Sequence, residues 1–122
     1  MTIKILADGV EGHIRRSLER TARRERGERL EPEKILNFED PVMMVECLSA
    51  ERIRLVETAR KKPLSISALA EELGRNRGSV TRDVNKLKQF GLLRLREQIN
   101  PGHGIVQIVE PVASRIEMRA AV

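Results

Sequence analysis

Polar side chains that donate hydrogen bonds recur at helical spacing between residues 75 and 89. At about 100° per residue they fall on one side of a predicted helix, opposite an apolar stripe of Val80, Val84 and Leu87. The residues on this outward face are Arg75, Gly78, Ser79, Arg82, Asn85, Lys86 and Gln89. Such side chains hydrogen-bond to base edges and phosphates, and a glycine allows the backbone to approach closely. The pattern therefore indicates a nucleic-acid-binding face.

Positive charge is concentrated around the same face. Residues 75–96 contain seven lysines and arginines against one acid, Asp83, a local balance of +6, whereas the whole chain carries +5. Such a basic stripe is typical of a nucleic-acid surface, and the alternative is an ordinary solvated helix face. The only aromatic residues are Phe38 and Phe90. Because single strands are bound by stacking on exposed rings, this scarcity favours double-stranded DNA.

Two short helices around a tight turn are predicted to position the face. Ser65 is suited to cap the first helix, and Gly74 is suited to end it in the left-handed conformation. Asn76 can cap the second helix, which Gly91 ends. An earlier helix, capped by Ser49, is the expected support. This arrangement is a helix-turn-helix.

A β-hairpin is predicted directly behind the second helix. Residues 93–98 alternate in polarity, Asn-Pro-Gly-His-Gly at 100–104 is a dense turn signal, and residues 105–109 supply a return strand. A helix-turn-helix followed by a hairpin is a winged helix, whose wing is expected to lie along the DNA. The candidate DNA-binding residues are Ser65, Arg75, Asn76, Arg77, Gly78, Ser79, Thr81, Arg82, Asn85, Lys86, Gln89, Arg94, Arg96 and His103.

The first 30 residues are predicted to form a strand and an arginine-rich helix. The strand covers residues 2–7 and the helix runs from Glu11 to about Arg29, with Ile14, Leu18 and Ala22 as a thin apolar stripe. Between residues 15 and 29 the balance is +4. A helix with so little to bury is expected to lie against a partner, and a solvated helix with internal ion pairs is the alternative.

The segments that flank the hairpin and helices are predicted to be short. Residues 34–38 (KILNF) form a strand, Asp40 caps a largely apolar helix, and residues 114–120 form a last strand. The single cysteine, Cys47, is expected to be a buried small apolar residue. No apolar run approaches the ~20 residues of a membrane span, and no secretory signal pattern begins the chain, so a cytoplasmic protein is expected.

Together these elements predict an α+β chain in three parts. Residues 35–110 form the winged helix-turn-helix domain, and residues 111–122 form a short C-terminal strand. Residues 1–34 form a strand–helix arm for dimerisation or partner binding. The terminal strands and KILNF are expected to contribute to the dimer interface, because they would otherwise leave open sheet edges.

The chain resembles the MarR-like winged-helix regulators of bacteria and archaea over about residues 35–98. The most specific part of the resemblance is three runs, Gly74-Arg75-Asn76-Arg77, Val80-Thr81-Arg82-Asp83-Val84 and Phe90-Gly91-Leu92-Leu93. Thr81 stands where that family often has histidine. The resemblance implies a transcription regulator, and some family members are encoded beside small ribonuclease-like toxins, which implies an antitoxin role.

The expected function is therefore repression of transcription by a homodimer that binds double-stranded DNA at an inverted repeat. Two alternatives stay open: an antitoxin that binds a cognate toxin and represses its own operon, and a plain MarR-like regulator with no toxin partner. An enzyme is not expected, because no GxGxxG phosphate loop is present and His13 and His103 lack ligand partners at metal spacing. No catalytic residue, metal or cofactor is assigned.

Overall fold

The computed structural model describes residues 1–122 and contains five helices and six strands. The helices are α1 (Gly9–Glu25), α2 (Pro41–Cys47), α3 (Ala50–Lys61), α4 (Ile66–Leu73) and α5 (Arg77–Gln89). The strands are β1 (Thr2–Leu6), β2 (Glu33–Asn37), β3 (Leu64–Ser65), β4 (Leu93–Asn100), β5 (Gly104–Pro111) and β6 (Arg115–Met118). The helices and strands form two compact units: unit 1 is Met1–Cys47 with Arg115–Val122, and unit 2 is Leu48–Ser114.

Unit 2 is a winged helix-turn-helix, which confirms the fold predicted from the sequence. Its antiparallel sheet has the order β3-β5-β4, and the β4–β5 hairpin pairs Leu95 with Val109 and Asn100 with Gly104. The buried side chains from α3, α4, α5, the sheet and the turn before β4 are Leu55, Ala59, Leu69, Ala70, Val80, Val84, Leu87, Leu92, Leu93, Ile108 and Val109.

Local capping accounts for the helix ends in unit 2. Ser49 Oγ accepts a hydrogen bond from Arg52 N, and Ser65 Oγ accepts one from Ala68 N at 3.2 Å. Gly74 has φ +62°, and the following amide donates to Ala70 O at 2.9 Å. This hydrogen bond completes a Schellman motif at the end of α4. An L side chain at the φ of Gly74 would be strained. The predicted caps are confirmed.

Unit 1 is built on a parallel sheet with the strand order β2-β1-β6. Ile3 of β1 pairs with Lys34 on one side and Ile116 on the other. The three strands expected at a dimer interface are therefore paired with one another. Because β2 and β6 both flank β1, the units do not divide at residues 34 and 110, where the sequence placed its boundaries.

Two expectations for unit 1 are corrected by the structure. Helix α1 runs from Gly9 to Glu25 rather than from Glu11 to Arg29, because Gly27 takes φ +84° and ends the helical path. Cys47 is half-buried rather than buried, since α2 exposes most of its apolar side chains. None of the five helices combines the length and hydrophobicity that a membrane span requires.

Candidate nucleic-acid interface

The orientation of α5 is determined by its cap and its apolar stripe. Asn76 Oδ1 accepts hydrogen bonds from Gly78 N at 2.7 Å and from Ser79 N at 3.4 Å, so the helix begins at Arg77. Val80, Val84 and Leu87 are completely buried. The opposite side of α5 is consequently exposed, and its centre is formed by Gly78, Arg82, Asn85 and Gln89.

Four cations on the exposed surface of α5 make no ion pair in the structure. They are Arg77, Arg82, Lys86 and Lys88. Lys86 Nζ lies 5.4 Å from the centroid of the Phe90 ring, a cation–π distance that leaves the ammonium accessible. Lys88 was missed by the sequence analysis, although its position on the flank of the helical wheel beside Arg77 could have indicated it. These unpaired cations give α5 a surface that attracts phosphates.

Arg75 and Ser79 are not on the outward face where the helical spacing placed them. Arg75 Nη2 donates to Asp83 Oδ2 at 2.6 Å and to Ser79 Oγ at 2.7 Å, and both side chains are half-buried. Arg75 precedes α5, so the helical wheel did not apply to it, and Asp83 attracts its guanidinium inward. Arg75 therefore stabilises the helix-turn-helix and does not present its charge to solvent.

The carboxylate of Asp83 is held by arginines from two directions. Arg52 Nε donates to its second oxygen at 3.0 Å. Burial opposes ionisation, but the hydrogen bonds from Arg75 and Arg52 outweigh it, so the pKa of Asp83 lies below its ordinary value. Asp83 is therefore ionised in the folded protein at neutral pH. Glu51 Oε2 lies 3.8 Å from Arg75 Nη2, so the two arginines of this cluster are matched by two carboxylates.

Two further candidates sit at the start of α5. A side-chain carbon at Gly78 would meet only Asn76 Oδ1, at 3.1 Å, so the space beside this glycine is otherwise open. Thr81 Oγ1 donates to Arg77 O at 2.8 Å, which commits its proton to the backbone while its oxygen can still accept. The structure thus keeps an accessible backbone segment on the exposed side of the first turn of α5.

The arginines of the wing are less available than the sequence implied. Arg94 Nε donates to Glu110 Oε1 at 2.8 Å, and Arg96 Nε donates to Glu110 Oε2 at 3.2 Å. The hydrogen bond from Arg94, with that from Arg96, lowers the pKa of Glu110 below its ordinary value. Glu110 lies outside residues 75–96, over which the charge was counted. It is next to Arg94 and Arg96 only because of the register of the hairpin. The wing face is therefore partly neutralised, while His103 is exposed at its tip.

A groove of about 400 Å³ lies within unit 2 between the start of α4, the start of α5 and the wing. Its lining residues are Ser65, Ile66, Ser67, Arg77, Ile105, Val106 and Gln107. Ser65 and Arg77 were predicted as contacts, whereas Ser67 and Gln107 were not. Their exposed polar side chains carried no pattern that distinguishes them in the sequence. The groove brings Ser65 and Arg77 together with the wing, whereas Arg94 and Arg96 are not among its lining residues.

The model of the family described as HVO_A0114 matches residues 47–109, just over half of the chain. These residues include α3, α4, α5, β4 and most of β5. No curated protein matches the sequence.

Solved structures with a similar fold have low sequence identity to this protein. One is the homodimeric winged helix-turn-helix DNA-binding domain of a possible ArsR-family transcriptional regulator from Mycobacterium bovis, with 18% identity and a TM-score of 0.49 over 59% of this chain and 63% of that one. A possible transcriptional regulator from Methanosarcina mazei Go1 has 21% identity and a TM-score of 0.49 over 59% and 64%. HlyU from Vibrio cholerae has 16% identity and a TM-score of 0.47 over 60% and 75%. The chain spans less than two thirds of the first two structures.

Proposed function

The chain belongs to the HVO_A0114 family, and we propose that it is a transcriptional regulator that binds double-stranded DNA through α5. One observation carries the proposal: the unpaired cations Arg77, Arg82, Lys86 and Lys88 surround exposed amide side chains on the outward face of a helix-turn-helix. Cations bind phosphates, and amides and arginines read base edges in the major groove, so this face combines both functions.

The proposed roles follow from the position of each side chain on α5. Arg82 lies at the centre of the exposed face and is assigned to a guanine, whose O6 and N7 accept both guanidinium donors. Asn85 and Gln89, about one and two turns beyond Arg82, are assigned to adenine edges. Arg77 and Lys86 lie on the two flanks and are assigned to phosphates. Gly78 admits the DNA backbone close to the helix.

The remaining candidates have secondary roles in the proposal. Ser65, Asn76 and Thr81 lie at helix starts, where their hydroxyl or amide groups can supplement phosphate contacts after capping or bonding the main chain. Arg94 and Arg96 reach DNA only while sharing their charge with Glu110, so we assign them a smaller contribution. His103 is assigned to the tip contact of the wing.

The regulator is proposed to act as a homodimer at an inverted repeat. One winged helix contacts few base pairs, and a two-fold dimer doubles the contacts and matches a palindromic site. The cytoplasmic location expected from the sequence belongs to the same proposal.

The MarR-like type and the antitoxin role rest on the resemblance of residues alone. Four arginines expected to attract a toxin are paired with acids of unit 1: Arg16 with Asp8, Arg20 with Glu33, and Arg23 and Arg26 with Glu28. Since their charge is used internally, electrostatic attraction of an acidic toxin no longer supports the antitoxin role. The plain regulator is the form of the proposal that we favour.

The proposal is tested with DNA fragments selected for binding from a random library. Arg82→Ala is expected to cost about 1–3 kcal/mol on the selected sequence and to relax the preference at one base pair. The matched control is Arg60→Ala, which removes the same charge from an exposed position on α3 away from the face. Failure of the unmodified protein to select any sequence, or equal effects of the two variants, would contradict the proposal.

A further inference from the structure

Helix α1 directs a charged side towards the rest of unit 1. Gly9 and Gly12 are its only buried residues, and the side chains of Arg16 and Arg20 on the same side are 21% and 27% exposed. Arg16 pairs with Asp8, and Arg20 Nη1 lies 3.5 Å from Glu33 Oε2 in β2. The side of α1 that is fixed against its own unit is therefore polar.

The opposite side of α1 is apolar and exposed. Val10, Ile14 and Leu18, called the α1 stripe below, follow one another at intervals of four residues and are 51–67% exposed. A helix of a globular protein normally buries such a stripe and exposes its charges. Because α1 does the reverse, its exposed stripe is suited to contact another molecule.

Exposed hydrophobic side chains are concentrated in unit 1 as a whole. This unit carries nine of the eleven large hydrophobic side chains that are exposed, although it has fewer residues than unit 2. The other two, Ile99 and Ile105, form a cross-strand pair on the wing. The association surface is therefore assigned to unit 1, whereas the face assigned to DNA belongs to unit 2.

We propose that the α1 stripe packs antiparallel against the α1 stripe of a second copy, with the two-fold axis beside Ile14. The proposal deepens the proposed function, because it rests on the homodimer stated there and gives that dimer a contact surface. In this arrangement Val10 meets Leu18 of the other copy, and the apolar side chains of both helices are buried together.

In this arrangement, the charged side chains beside the stripe of one copy are complementary to the same side chains of the other copy. At about 100° per residue, Glu11 and Arg15 lie on the same flank of α1, and antiparallel pairing brings equal flanks together. Glu11 of each copy then lies about 3 Å along the helix axis from the level of Arg15 of the other. The long arginine side chain spans this offset, which gives two symmetry-related ion pairs. Glu11 has no ion pair within its own chain, and Arg15, 71% exposed and 3.6 Å from Asp8, has room to reach it.

The same charges disfavour an acidic protein as the occupant of the stripe. The exposed charged residues of α1 that are not used to hold the helix are Glu11, Arg15, Glu19, Arg24 and Glu25. Acids and bases are nearly balanced in this set, so the exposed side has no basic field to attract an acidic partner. A second copy of α1 carries the same mixture of acids and bases, so it can pair with this surface without any additional charged group.

The first test compares two exposed hydrophobic residues of unit 1 by sedimentation equilibrium of the full chain. Leu18→Glu is expected to weaken the dimer on the order of a hundredfold, because the symmetric contact would bury two unpaired carboxylates. The control Met43→Glu places the same charge on α2, outside the stripe, and is expected to leave the dimer intact. An unmodified chain that is monomeric at tens of micromolar, or equal weakening by both variants, would overturn the proposal.

The second test exploits the expected reciprocity of Glu11 and Arg15. Glu11→Arg and Arg15→Glu are each expected to weaken their homodimers roughly tenfold, since like charges then meet twice. Mixing the two variants should produce heterodimers, seen by native mass spectrometry, because both pairs become attractive again. A mixture that shows no preference for heterodimers over homodimers excludes the antiparallel pairing.

The result is separable from the test of DNA binding. Leu18→Glu leaves α5 unchanged, so its binding to a duplex that contains one half-site is expected to equal that of the unmodified chain. A chain that dimerises through α1 and binds no DNA would contradict the proposed function alone. A chain that binds DNA while Leu18→Glu remains dimeric would contradict the interface alone.

Discussion

Arg75 and Asp83 are joined across the turn between α4 and α5 by a hydrogen bond of 2.6 Å. Arg52 of α3 binds the other oxygen of the same carboxylate. One acidic side chain on α5 is thereby linked to the preceding turn and to the supporting helix. Asp83 follows Arg82 directly, about 100° further around α5. The ion pairs of Asp83 therefore help to fix the rotation of α5 at which Arg82 is exposed.

Replacement of Asp83 by asparagine is expected to destabilise unit 2 by roughly 2–3 kcal/mol, since two charge-assisted hydrogen bonds would be lost. The half-buried guanidinium of Arg75, whose Nη1 is already buried without a partner, would keep only the longer ion pair with Glu51, at 3.8 Å. Hydrogen exchange of amides in α4 and α5 measures this loss locally. Glu57→Gln, an exposed carboxyl on α3 with no ion pair, is the control and should change little.

The contribution of Asp83 should also depend on pH. Its folded pKa is lowered, so its ionised form contributes stability above the unfolded value of 3.8, and that contribution disappears as the pH falls through the lower folded pKa. The difference in stability between the unmodified chain and Asp83→Asn is therefore expected to be constant near neutral pH and to shrink below about pH 4. A difference that grew on acidification would contradict the assigned ion pairs.

Gly74 and Gly78 should respond oppositely to alanine. Gly74→Ala forces a side chain into φ +62° and is expected to cost about 1–2 kcal/mol of unfolding free energy without changing DNA contacts. Gly78→Ala occupies a helical position and should alter stability little, but its methyl group would obstruct the approach of DNA. Thermal unfolding and DNA titrations of both variants give the comparison. If a folded Gly74→Ala variant bound DNA more weakly while Gly78→Ala did not, the roles assigned to the two glycines would be wrong.

Glu110→Gln should release Arg94 and Arg96 on the wing. Binding to all DNA sequences is then expected to strengthen alike, and the dependence of log K on log[salt] to steepen by about one unit, because an additional phosphate contact releases about one counterion. Glu57→Gln provides the same change in net charge at a remote position. If both variants shift affinity equally, only net charge is involved and the wing arginines do not reach DNA.

Gly12→Ala is expected to destabilise unit 1 by about 1–3 kcal/mol. A side-chain carbon at this position would overlap the carboxylate of Asp8, which would have to leave Arg16. Ser17→Ala, at an exposed position of α1, is the matched control. Hydrogen exchange of the β1 amides reports on this unit, and equal protection in the two variants would show that Asp8 moves without cost.

Features that depend on neighbouring residues were predictable from the sequence. Ser65, Asn76 and Gly74 act within a few residues of their own positions, so their types alone indicated the helix ends. The partners of Arg75 and Arg94 were not predictable, because they depend on the rotation of a helix and on the register of a hairpin. The orientation of α1 was also hidden, since the spacing of Ile14 and Leu18 shows which residues share a face but not whether that face is covered.

The parallel sheet of unit 1 has a consequence for the order in which the chain acquires its structure during synthesis. β1 is the middle strand, yet Thr2 pairs with Arg115, which the ribosome adds more than a hundred residues later. Unit 2 is continuous in sequence and mostly made of neighbouring helices, so it can fold as soon as its residues have emerged. A newly made chain can therefore hold a formed helix-turn-helix while β1 still lacks its second neighbour, and one edge of that strand must await the synthesis of β6.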